Sequence, residues 1–73
     1  MPNQITLHAS AHADLEAVTG GATNVLRAEG IRIAAAGLVR LSSRDSVGRI
    51  ILRSATDKAR AMEILLANHI VAN

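Results

Sequence analysis

GIRIAAAGLVRLSSRDSVGRIILRS, residues 30–54, is the stretch whose reading decides the fold. It divides into two apolar runs joined by a polar turn at Ser42–Ser46, with a helix-like segment on either side. In the first run Ile31, Ile33 and Ala35 alternate with Arg32, Ala34 and Ala36, the period of two of a strand, which continues to about Ser43. Gly37 interrupts it, and a glycine inside a strand pattern predicts a bulge there. The second run, Val47–Ser54, sets Ile50 and Leu52 on one face and Arg49, Ile51 and Arg53 on the other. One face is therefore buried and the other partly wet, as in an antiparallel sheet covered on one side.

The flanking segments complete the pattern. Upstream, Ile5, Leu7 and Ala9 alternate with Thr6, His8 and Ser10, which reads as a half-buried strand over Gln4–Ala9. Ser10 is placed to cap the helix that follows, with Asp14 and Glu16 adding negative charge near its first turn. Leu15, Val18, Ala22, Val25 and Leu26 form its apolar face, and Gly30 closes it. Gly20 and Gly21 each cost that helix about 1 kcal/mol relative to Ala, but the apolar spacing runs through them without a phase shift, so one continuous helix is expected. Downstream, Ser54 or Thr56 is placed to cap a second helix with Asp57 in its first turn. Ala59, Met62, Leu65 and Leu66 make its stripe, Lys58, Arg60 and Glu63 face water, Asn68 ends it, and Ile70–Val71 leave room for a short final strand.

The order strand, helix, strand, strand, helix, strand with right-handed crossovers predicts an α+β, ferredoxin-like βαββαβ domain over residues 1–73. Its four-stranded antiparallel sheet carries two helices on one face, with the first and third strands in the middle. The second strand is then a long, largely apolar edge, and an unprotected edge of that kind predicts a homodimer.

Composition narrows the function. At 73 residues the chain has a small core, and with no cysteine nothing staples it covalently. No apolar run approaches the roughly 20 residues a membrane helix needs, and the start of the chain has no targeting pattern, so a cytoplasmic location is expected and no membrane partner. The formal net charge is +2, yet residues 31–54 alone carry +4, from Arg32, Arg40, Arg44, Arg49 and Arg53 against Asp45. A basic sheet of this order could expose a face to RNA, but that mode stacks bases on aromatic side chains and the chain has none, which argues against a nucleic-acid partner.

The chain resembles the ACT domain family, small ligand-binding regulatory modules attached to many enzymes of amino-acid metabolism. The resemblance is carried by Leu15, Ala17, Val18 and Thr19, by Ala28-Glu29-Gly30-Ile31-Arg32-Ile33, by Val47–Leu52 and by Lys58–Leu65. It implies a homodimer binding an amino acid or similar small ligand between subunits. Matched to this chain, the contacts would come from Ser10, Ala11, His12, Ala13 and Asp14 of one subunit and Gly30, Ile31 and Arg32 of the other. The first loop, Ser10-Ala11-His12-Ala13-Asp14, lacks the glycine common in the family, and Arg32 stands where the family often has Asn.

Other chemistry finds little in the sequence. His8, His12 and His69 are not joined by Cys or a close carboxylate pair, so no metal site is expected, and no cofactor motif is present. Ser42, Ser43 and Ser46 have no neighbouring His and the six acids are scattered, so catalysis is not expected. The competing expectation is a protein-interaction module with no small-molecule effector, whose basic hairpin docks an acidic partner.

Overall fold

A computed structural model describes residues 2–9 and 12–73, the side chain of His12 excepted. Its elements in chain order are β1 (Gln4–Leu7), α1 (His12–Ala28), β2 (Ile33–Arg40), β3 (Ser46–Leu52), a 3-10 turn at Ala55–Asp57 and α2 (Lys58–Ala67). The result is an α+β architecture with a three-stranded antiparallel sheet in the order β1-β3-β2. In place of a fourth strand there is an isolated antiparallel bridge, Leu7 to Ala72. Beside it the Thr6 N–H donates to the Asn73 carbonyl and the Asn73 N–H to the Thr6 carbonyl, both at 2.9 Å. α2 and the turn after it run to Ile70, and Ala72 forms the bridge just beyond them.

Period-two patterning sorts the sheet. Ile5 and Leu7 of β1 and Ile50 and Leu52 of β3 are fully buried and share one core with Ala22 and Leu26 of α1, Ile31, and Ala61 and Leu65 of α2. Both helices therefore cover the same face. Arg49 and Ile51 lie on the other.

α1 is unbroken through Gly20 and Gly21, as the spacing predicts, and its buried residues are Leu15, Thr19, Ala22, Thr23 and Leu26, with Val18 and Val25 half-buried. Its end is a Schellman closure: Gly30 has φ +83°, its N–H donates to the Arg27 carbonyl, and the Ile31 N–H reaches the Leu26 carbonyl, both at 3.0 Å. Ile31 and Leu26 meet in the core, the hydrophobic contact that accompanies this motif. α2 ends in the same way at Asn68, but the left-handed position is held by His69 (φ 60°). The proposed Ser10 cap lies outside the described residues.

Four sequence readings are corrected. The irregularity in β2 falls between Ile33 and Ala35, not at Gly37, and β2 is shorter than the expected run from Ile31 to Ser43. Ile33 thereby pairs with Leu52 while Ala35 pairs with Ile51, so the alternation changes face at Ala34. The turn is Leu41–Asp45, closed by the Leu41 N–H on the Asp45 carbonyl (2.8 Å) and by the Asp45 N–H on Ser42 Oγ (3.1 Å). In α2 the inward residues are Ala61 and Leu65, flanked by Met62 and Ile64, whereas Ala59 is exposed and Leu66 is 76% exposed. Ser54 caps the 3-10 turn, accepting from the Thr56 N–H (3.3 Å), and that turn resets the phase of the helix behind it.

Candidate functional site

α1 lies over the β2 side of the sheet, and between the two runs a groove of about 540 Å³. Its α1 wall is Glu16, Thr19, Gly20, Thr23, Asn24 and Arg27, and its floor is Ala36–Leu38 of β2. Glu16, Gly20, Thr23 and Arg27 stand at i, i+4, i+7 and i+11, so they share one stripe along the flank of the helix. An acid marks one end of this stripe and a base the other, both exposed. Among the described residues the ion pair present is Arg60 with Glu29 at 3.9 Å, elsewhere on the surface.

The two buried threonines behave differently. Thr23 Oγ1 donates to the Thr19 carbonyl at 2.8 Å and is satisfied within the helix. Thr19 Oγ1 is buried without a hydrogen-bond partner among the described residues. It sits directly against Gly48, where an added Cβ would overlap it and would also stand 3.2 Å from Leu7 Cβ. Gly48 thus sets how closely α1 approaches the central strand. Gly20 and Gly21 have no such role within the chain, because a Cβ at either meets nothing within 4 Å.

The residues expected to hold a ligand fall at the two ends of α1. Ala13 and Asp14 are exposed in its first turn, and Gly30 and Arg32 are exposed just beyond its last. Ile31 is 3% exposed and its side chain belongs to the core, which leaves its backbone as the part that could touch a ligand. Ser10 and Ala11 lie outside the described residues, as does the side chain of His12. A seventeen-residue helix is about 25 Å long, so a single chain does not bring the two groups together.

Two further hollows lie elsewhere. One of about 560 Å³ is apolar, bordered by Met62, Leu66, Ile70 and Val71, with Val71 72% exposed. The other, about 220 Å³, lies on the helix-free face over Ala35, Gly37 and Val39, beside Arg49, whose Nε is buried without a partner among the described residues. The remaining arginines of the hairpin, Arg32, Arg40, Arg44 and Arg53, are exposed. Among the described residues no three His, Cys, Asp or Glu side chains gather where a metal could be held, and no helix is long and apolar enough to cross a membrane.

The groove between α1 and β2 was not apparent from the apolar pattern, because its wall consists of threonines, glycine and charges that read as a solvated helix flank. The signal for it was the i, i+4, i+7, i+11 stripe ending in opposite charges. Comparison of the chain with protein-family models, with curated proteins and with solved structures finds no match.

Proposed function

We propose that the chain is a non-catalytic regulatory module similar to ACT domains, acting as a homodimer that takes an amino acid or similar small ligand between subunits. The observation that carries this reading is the asymmetry of the sheet. An isolated bridge joins Ala72 to Leu7 at the β1 side, which supports reading the C-terminal segment as the fourth strand of a ferredoxin-like order, while β2 has no strand on the side away from β3 among the described residues. β2 is exposed along most of its length and carries no charge between Arg32 and Arg40, so it invites a second β2.

Antiparallel pairing of two β2 strands about a two-fold axis also lays the two α1 helices antiparallel. The start of one helix then lies beside the end of the other. Asp14 of one subunit faces the Gly30–Arg32 corner of its partner, and the groups that one chain keeps about 25 Å apart become one site, present twice. Asp14 suits the ammonium group of an amino acid and Arg32 its carboxylate, a charge-assisted pairing at each end of the ligand.

Thermal-shift and calorimetric titration with each of the twenty amino acids tests this function. At least one is expected to raise the melting temperature saturably, and Asp14→Ala or Arg32→Ala should remove the response without unfolding the chain. Silence from all twenty on a folded sample would contradict it. The exposure of four hairpin arginines favours the second reading, docking of an acidic protein, and Arg44→Glu with Arg53→Glu should then abolish capture of that partner while the fold persists.

A further inference from the structure

We infer that the flank of α1 is a self-complementary helix interface, with Glu16 of one copy paired to Arg27 of the other, and that this charge register selects a second copy of the chain as the occupant of the groove. The inference rests on the β2-edge dimer proposed above and specifies what fixes its register and excludes other partners.

The helical geometry comes first. Glu16 and Arg27 are eleven residues apart, which returns them to nearly the same angular position on α1 but separates them by about 16 Å along its axis. They cannot meet within one chain. A two-fold axis passing beside α1, level with the midpoint between them near Gly20 and Thr23, reverses the second helix and sets each Glu16 opposite the other copy's Arg27. Two equivalent pairs then flank a centre of small side chains.

Three observations converge on that axis. The groove that exposes Glu16 and Arg27 has Ala36–Leu38 as its floor, and the middle of β2 (Ile33–Arg40) falls between Ala36 and Gly37. A single axis can therefore serve both strand and helix. Gly20 sits in the groove wall, where a Cβ would meet nothing within 4 Å beyond its chain neighbours and the adjacent helix backbone, although a glycine inside a helix is costly. Close approach of a second helix gives that glycine a purpose which packing within the chain does not. Finally, the acid and base stand at opposite ends of the stripe, which is what self-recognition through a two-fold requires. Parallel docking would place acid against acid and base against base.

Sedimentation of charge-reversed chains tests the register. Glu16→Arg places arginines opposite each other in a homodimer, and Arg27→Glu places glutamates opposite each other. Each variant alone should dimerise about tenfold to a hundredfold more weakly than the native chain, whereas an equimolar mixture should recover a native-like dimer containing one of each. The double variant Glu16→Arg with Arg27→Glu should recover it as a homodimer. Because recovery in the mixture needs both defects at once, a general loss of helix stability cannot imitate it, and circular dichroism of each variant confirms the fold. Single variants that dimerise as well as the native chain, or that fail to recover on mixing, overturn the register while a native dimer upholds β2 pairing. A native chain that stays monomeric at millimolar concentration overturns both, and assigns the edge to a different occupant.

Discussion

At one side of the sheet, β1 is covered by the segment around Ala72, through the two backbone hydrogen bonds that Thr6 exchanges with Asn73; at the other, the eight residues of β2 have no strand on the side away from β3 among the described residues. Both edges present the same backbone chemistry, a row of N–H and C=O groups that want partners. The first edge is partly covered by the Leu7–Ala72 bridge and the Thr6–Asn73 hydrogen bonds. The second is left open and is accompanied by a polar groove and a charged helix flank, the contrast on which the proposal of assembly through β2 rests.

The sharpest way to break that contrast is to place a charge on the open edge. A Cβ at Gly37 meets nothing within 4 Å, so Gly37→Lys starts without a clash inside the subunit and puts two like charges near the proposed two-fold axis. It should weaken dimerisation about a hundredfold by sedimentation equilibrium. The melting temperature at high dilution should stay nearly native, as for other exposed substitutions. Lysine at Thr6, beside the closed edge, should leave the oligomeric state alone.

Gly48→Ala attacks the strand between the two edges. Its Cβ would collide with Thr19 Oγ1 and crowd Leu7, so urea unfolding should show a loss of about 1–3 kcal/mol. Adding Thr19→Ala should restore part of it. Should the single substitution prove neutral, Thr19 and Gly48 do not set the height of α1 over the sheet.

Deleting Ala72 and Asn73 converts the closed edge into a second open one. Losing the two hydrogen bonds to Thr6 should lower stability by about 1–2 kcal/mol, and the exposed β1 edge should add concentration-dependent association beyond the dimer. Light scattering that finds no larger species would mean β1 is too short to recruit a strand.

The smallest effect separates the two glycines of α1. Gly21→Ala, away from the stripe, should stabilise the chain by up to about 1 kcal/mol through helix propensity alone. Gly20→Ala should do the same for the isolated subunit and yet weaken the dimer. Identical behaviour of the two would remove Gly20 from the interface.

Much of this fold was legible in the sequence, for identifiable reasons. β1, α1 and β3 carry Ile, Leu and Val at clean periods of 2 or 3.6, and such patterns survive small errors in element ends. The run Ala34-Ala35-Ala36 does not: three alanines fit either face, so nothing in the residues located the change of face at Ala34, and Gly37 drew the bulge to the wrong place. The stripe of α2 was misassigned because the 3-10 turn at Ala55–Asp57 shifts the helical phase, and Leu65-Leu66 offers two adjacent leucines of which only Leu65 points inward. The groove was harder to see, since Thr19 and Thr23 are buried by the proximity of α1 to Gly48 and β2, which only the assembled chain displays.

Amide hydrogen exchange along the two edges, followed as a function of protein concentration, tests the central claim most directly. Alternate amides of β2 between Ala34 and Val39 point away from β3. At high concentration these should be protected as well as those bonded to β3, and they should lose protection on dilution while the Thr6 and Asn73 amides do not change. Outward-pointing amides of β2 that exchange rapidly at every concentration, in a chain whose β3 stays protected, would contradict the account.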